Sequence, residues 1–300
     1  MARTPTISHF TTPYKRPSQA EDQYKWLRLL FGFLFSGAIG ILAYKRRSLS
    51  RSGIAGAMLS GTTIFGMGGI GWGLSLIFFF VSSSLLSHFR AQDKALTAAD
   101  KFSKGSQRDF SQAMANGGVA TLLALGYGLS TSKCTRSSLQ AGFVGALATA
   151  NADTWATELG VLSKQPPRLI TTGALTTPGT SGGVTLTGTV ASAAGAVALG
   201  LFFRLFQRGR SALPLIALLS GMLGSVFDSF LGATVQVMYY CPTCHKETER
   251  RVHSCSTVTR PLRGIPGLDN DVVNFLATLC GALTAMGMQS LLFRRRHGDV

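Results

Sequence analysis

The chain has 300 residues, of which 14% are charged, 46% are hydrophobic and 35 are glycine, a balance that excludes both a disordered chain and an ordinary water-soluble domain. The net charge of +16 does not signal nucleic acid, because Lys and Arg fall between or beside apolar runs and form no stripe interleaved with aromatics. Five cysteines are too few and too unevenly placed for a secreted disulfide framework. Residues 1–25 are rich in Thr, Ser and Pro and carry Glu21 and Asp22 ahead of the first apolar run, unlike a cleavable signal or an acid-poor transit peptide. They read as a polar, disordered tail.

A spanning helix needs about 20 apolar residues, because each rises about 1.5 Å through a hydrocarbon core of about 30 Å. Helices are predicted at Trp26 to Tyr44, Gly53 to Gly66, Ile70 to Ser87, Phe110 to Leu129, Ser138 to Leu162, Gly183 to Phe206, Leu213 to Tyr239 and Asn270 to Phe293. The expected fold class is all-α, a multi-pass transmembrane helical bundle of about eight spans, between seven and nine. It forms a single integral membrane domain over residues 26–293, with a Cys/His loop at 240–268 and a basic tail at 294–300. Gly66, Gly68, Gly69, Gly71 and Gly73 crowd the turn after the second helix, where a broken or re-entrant segment is the alternative to a plain span. Small residues such as Gly53, Gly56 and Ala57, or Gly188, Ala191, Ser192 and Gly195, predict close helix packing, within one chain or between copies.

With eight spans, the loops at Lys45–Arg51, Arg90–Arg108, Lys164–Arg168 and Lys246–Arg263 share one side and carry the larger part of the Lys and Arg, which places them in the cytoplasm. The same alternation of helix direction brings Asp153, Glu158, Asp228, Asp269 and Asp271 to that side, together with Gln112, Asn116 and Ser82 to Ser84. An Asp at a helix centre costs about 2.5–3.5 kcal/mol on insertion scales, so each such group needs a partner or a wet site. Asp153 and Thr157 share a helix face, with Thr154 and Glu158 in the adjacent row, and Mg²⁺ suits such a face because it takes oxygen ligands and keeps waters that phosphate can replace. A transport pathway and plain interhelical hydrogen bonds are the alternatives.

Pro178-Gly179-Thr180-Ser181-Gly182-Gly183 leads into the sixth predicted helix, so its amides and the helix N-terminus are suited to phosphate, with Lys164 and Arg168 upstream as neutralising cations. A Gly-rich helix cap without a ligand has the same appearance. Cys241 and Cys244, followed by His253 and Cys255, offer three thiolates and an imidazole in one loop, a full tetrahedral set for structural zinc. His245 is a substitute for His253, and a reduced hairpin without metal is the alternative.

Five motifs carry a resemblance. They are Asn116-Gly117-Gly118, the block from Ala152 through Asp153, Trp155 and Glu158 to Gly160, the loop from Pro178 to Val184, the run from Asp228 to Gln236, and Leu268-Asp269-Asn270-Asp271-Val272-Val273-Asn274. In this order they resemble the transmembrane protein 19 family, which includes the plant phytyl-phosphate kinase. The resemblance implies a kinase that converts an isoprenyl, phytyl-like monophosphate to its diphosphate with CTP or ATP as donor. It implies Mg²⁺ at Asp153, Glu158 and Asp228 with Asp269 as a further catalytic carboxylate. Substrate and phosphate contacts are then expected from Asn116, Thr154, Thr157, Arg168, Gly179, Thr180, Ser181, Gly182, Gly183, Gln236, Asn270 and Asn274. The expected location is an endomembrane such as the endoplasmic reticulum, with an organelle membrane as the alternative. The rival functions are a cation- or proton-coupled transporter of an anionic substrate and a membrane assembly protein that docks through the Cys/His loop.

Overall fold

The computed structural model describes residues 19–98, 107–206 and 212–297. Its helices are α1 (Gln19–Lys45), α2 (Arg51–Thr63), α3 (Ile70–His88), α4 (Ala91–Ala98), α5 (Phe110–Leu129), α6 (Lys133–Gly160), α7 (Leu186–Arg204), α8 (Leu213–Thr234) and α9 (Asn270–His297). Each predicted helix is present, and α4 is additional. Two small sheets complete the described residues: an antiparallel pair of β1 (Arg168–Leu169) and β2 (Gly183–Val184), and a three-stranded ribbon in the order β4 (Lys246–Thr248), β3 (Met238–Cys241), β5 (Arg260–Arg263).

The helix bounds differ from expectation where local chemistry decides them. α1 begins at Gln19, inside the expected tail; residues 1–18 lie outside the described residues. α2 runs into a π-helical turn at Ile64–Gly68, which Gly69 ends with φ +95° before α3 starts, so the glycine-crowded turn is a break. α8 stops at Thr234, five residues short of the prediction, because Met238 to Cys241 pair as a strand. α9 continues to His297 through the stretch expected as a basic tail, as Arg is a good helix former.

Among the described residues, five helices are long and apolar enough to cross a membrane: Trp26–Lys45, Ile70–His88, Leu186–Arg204, Leu213–Thr234 and Asn270–Leu292. That is fewer than the about eight spans expected. On α8 the exposed Leu215, Leu219, Leu223, Val226 and Phe230 make an apolar stripe that lipid would cover. α6 is the opposite case. Every residue from Ala141 to Ala152 is buried, because α3, α5, α7, α8 and α9 surround it. Its Ala, Gly and Thr side chains give it little hydropathy but let the neighbours approach.

One position shows how close. A Cβ on Gly145 would stand 2.5 Å from both the Cβ of Ala285 and the carbonyl oxygen of Gly281 on α9. Gly145→Ala is therefore expected to destabilise the protein by about 1–3 kcal/mol through overpacking. Thermal unfolding in detergent checks this, and an unchanged midpoint would mean that α6 and α9 separate without cost.

At one end of the bundle the polar connections are tied together. Ser50 N donates to Arg108 O and Arg108 N to Ser48 O, both at 3.0 Å, which joins the α1–α2 turn to the start of α5. Asp109 and Gln112 form a reciprocal capping box there. The ribbon docks on the end of α8 through Arg263, whose Nη1 donates to the carbonyls of Gly232 and Ala233 at 3.0 and 3.1 Å and so satisfies helix-terminal acceptors.

Candidate functional site

The last turns of α6 carry the ionisable groups, and hydrogen bonds lock their rotation. Asn151 is fully buried; its Nδ2 donates to Gly195 O on α7 at 2.8 Å, and its Oδ1 accepts from Ser82 Oγ on α3 at 3.0 Å. Trp155 Nε1 donates to the same hydroxyl at 3.4 Å. With α6 fixed in this way, residues 153 and 158 point about 140° apart, five steps of about 100° on a helix.

Glu158 accordingly faces α3 and α4. Its Oε1 accepts from Ser87 Oγ at 2.5 Å, and its Oε2 pairs with Lys94 Nζ at 2.6 Å. Lys94 also donates to Leu86 O, the end of α3, so the pair fastens α4 to both helices. Arg108, stacked near the rings of Phe79 and Phe80, lies within electrostatic reach of Glu158. A half-buried carboxylate held by a lysine and a hydroxyl is a satisfied group.

Asp153 faces α8 instead. Ser225 Oγ donates to its Oδ1 at 3.3 Å, and Asp228, one turn further along α8, interacts electrostatically with Asp153. The Oδ2 of Asp228 is buried and has no hydrogen-bond partner among the described residues. A third acid completes the group: Glu249, just beyond β4, also acts on Asp228. Glu249 Oε1 accepts from Gln236 Nε2 at 2.8 Å and from Ser181 Oγ at 3.1 Å. Electrostatic interaction with Asp228 thus links carboxylates from α6 and the ribbon to the one on α8, whereas Glu158 is directed elsewhere.

Glu249 was not among the residues that the sequence singled out. It lies between the cysteines and His253 in a run of Lys and Arg, with no spacing that links it to Asp153 or Asp228. Lys94 was equally silent, as part of a predicted loop whose residues 91–98 form α4.

The glycine loop supplies Ser181 to this site, but it is not a helix N-terminus. Gly183 and Val184 pair with Leu169 and Arg168, and α7 begins only at Leu186, with the Thr185 hydroxyl accepting from Gly188 N at 3.0 Å. Gly183 N and Thr180 N are already bonded, to Thr180 O and Thr177 O. Gly179 and Gly182 have φ of +79° and +81°, and Gly182 packs directly on Ala233 at the end of α8, so a side chain there meets both strain and backbone. The loop is a tight hairpin cap that presses Ser181 onto buried Gln236.

The remaining predicted residues are dispersed. Asp269 is exposed, and its Oδ1 accepts from Asp271 N and Val272 N at 3.1 Å, which makes it the N-cap of α9. Asn116 Nδ2 and Thr154 Oγ1 donate back to carbonyls one turn earlier, those of Gln112 and Ala150. Thr157 is exposed, Asn270 and Asn274 are half-buried on α9, and Arg168 holds Gly173 O at 2.8 Å within its own hairpin. Thr180 is hydrogen-bonded to Thr176 at 3.1 Å.

The predicted Cys/His set does meet. One ligand atom from each of Cys241, Cys244, His253 and Cys255 lies within 4.8 Å of all the others. Hydrogen bonding with Thr257, and then with His253, draws the Cys255 thiol down to about 6, while the contact with Cys255 pushes Cys244 up to about 11.

Residues 34–282 match the family described as integral membrane protein DUF92. The chain belongs to the DUF92 family. Among curated relatives, this DUF92 chain is 36% identical over 275 residues to Protein PGR of Arabidopsis thaliana, an alignment that covers 84% of this chain and 93% of that one. It is 28% identical over 258 residues to an uncharacterized membrane protein of Methanocaldococcus jannaschii, covering 86% and 92%. No solved structure matches it. The matched range takes in Asp153, Asp228 and Glu249, and it agrees with the resemblance drawn from the motifs around the first two.

Proposed function

We propose that this DUF92 protein transfers a phosphoryl group from a nucleoside triphosphate, CTP or ATP, to an isoprenyl monophosphate in an endomembrane such as the endoplasmic reticulum. The observation that carries the reading is the buried, unpartnered Oδ2 of Asp228 beside Asp153 and Glu249. Carboxylates that repel one another in a half-buried site are relieved by protonation or by a bound cation, and an all-oxygen donor set fits Mg²⁺. Asp153 and Asp228 would hold it, with the Glu249 charge acting on the same site in place of Glu158. Bound there, Mg²⁺ neutralises phosphate charge.

The chain's own residues supply the rest. Ser225 orients Asp153, and Gln236 with Ser181 orients Glu249, so the acids keep their positions when phosphate arrives. The exposed Leu223, Val226 and Phe230, within two turns of Asp228 on α8, give an isoprenyl chain an approach from the lipid side. The acceptor monophosphate oxygen attacks the terminal phosphorus of the donor, a P–O bond forms, the bridging P–O bond breaks and the nucleoside diphosphate leaves. The attacking oxygen is already anionic, so no general base is required.

The test is a phosphoryl-transfer assay on detergent-purified protein with Mg²⁺, CTP or ATP and phytyl, farnesyl and geranylgeranyl monophosphates. Diphosphate product is the expected result. If no donor and acceptor pair gives product while Mn²⁺ or Mg²⁺ still binds, the carboxylates serve a transport route and the kinase reading is lost.

A further inference from the structure

We infer that Cys241, Cys244, His253 and Cys255 hold one structural zinc ion, and that this ion orders the ribbon that carries Glu249. The geometry is that of two facing turns. Cys241 ends β3 and Cys244 lies within the β3–β4 turn, where Cys241 pairs with Lys246 and His245 closes the turn at φ +52°. His253 and Cys255 sit in a second turn, closed by Ser256 at φ +63° and by the bond from His253 N to Thr257 O at 2.9 Å. Each turn contributes two donors. The sulfurs of Cys241 and Cys255 are 3.6 Å apart, close to the edge of about 3.8 Å expected for a tetrahedron with Zn–S bonds of about 2.3 Å.

Two further observations point to an ion. His253 is only 4% exposed, its Nδ1 lies 3.2 Å from Cys255 Sγ, and its Nε2 has no partner among the described residues. An imidazole buried with an orphaned nitrogen among three thiols carries a desolvation cost that a bound cation offsets. The ribbon also lacks a core of its own. Its strands have four, three and four residues, and its buried side chains beyond the end of α8 are Gln236, Val237, Met238, Cys241, Thr248, His253 and Thr259, of which few are apolar. A sheet of that size needs a staple.

The staple matters because of what the ribbon holds. Arg263 on β5 pairs with Glu247 on β4 at 2.9 Å and caps α8, which sets Glu249 against Gln236 and Ser181. Only the significance of Glu249 for phosphoryl transfer rests on the proposed function; the zinc site stands on its own donors.

Elemental analysis of the full-length protein, purified in detergent without chelator, is expected to give one zinc per chain. Exchange with Co²⁺ is expected to yield the visible bands of tetrahedral cobalt and a near-ultraviolet thiolate charge-transfer band. Cys241→Ser/Cys244→Ser is expected to lose the metal, and Cys134→Ser to retain it. If the double variant fails to fold, the wild-type stoichiometry and cobalt spectrum decide. A wild-type protein without metal, or one with a Cys241–Cys255 disulfide by mass spectrometry, overturns the zinc site. Chelation is expected to raise amide hydrogen exchange across 238–263 at least tenfold while helix α6 stays protected; unchanged exchange overturns the ordering role. Neither readout uses activity, so both remain decisive if the kinase reading fails.

Discussion

Asp228→Asn is expected to reduce turnover by about three orders of magnitude, the scale on which a preorganised electrostatic group at a reacting phosphate contributes. The fold should survive, with a melting temperature in detergent equal to or above that of the wild type. The physical reason is that the amide keeps the shape of the carboxylate while it removes one of three mutually repelling charges, and Oδ2 has no hydrogen bond to lose. Activity and stability therefore move in opposite directions, the signature of a residue kept for chemistry. Steady-state kinetics beside a thermal melt checks both. Turnover within about threefold of wild type would remove Asp228 from the mechanism, whatever the melt shows.

The second large effect concerns Glu158, which the sequence grouped with Asp153 and the structure assigns to Lys94. Lys94→Met leaves a carboxylate with side-chain exposure of 21% supported by the Ser87 hydroxyl and the charge of Arg108. The expected cost is about 2 kcal/mol, below the about 3–5 kcal/mol of a fully buried broken pair because water still reaches this one. Adding Glu158→Gln should restore part of that loss, since it removes the stranded charge, and the double-mutant cycle should give a coupling of about 1–2 kcal/mol. The catalytic readout separates two roles. If the folded double variant keeps turnover within tenfold, Glu158 is scaffold that holds α4 on α3 and α6; if it loses turnover by orders of magnitude, Glu158 belongs with the metal-binding acids.

Much of the architecture was legible in one dimension because bilayer thickness imposes a length on apolar runs. α5 starts and ends where its pattern predicts, and α3 differs by one residue. The misreadings have a common source. Val235 to Tyr240 is apolar enough to prolong α8, but two Val and two Tyr in six residues favour a strand; one partner, 246–248, follows across a short turn, and the other, 260–263, lies about 20 residues on. α4 is short and polar, and nothing in hydropathy distinguishes it from a loop. The glycine loop suited phosphate by composition, yet pairing of Gly183 with Leu169 takes it out of the helix start.

By itself the sequence determined that the chain is a helical membrane protein, that its acids gather at one end of the bundle, and that three thiols and an imidazole share a loop. Hydrophobic length, helix alternation and donor spacing are one-dimensional properties. Only the tertiary structure decided which acids meet. The rotation of α6, fixed by Asn151 and Trp155, turns Asp153 toward Asp228 and Glu158 toward Lys94. The docking of the ribbon on α8 then brings in Glu249, 96 positions along the chain from Asp153 and joined to its group only through space.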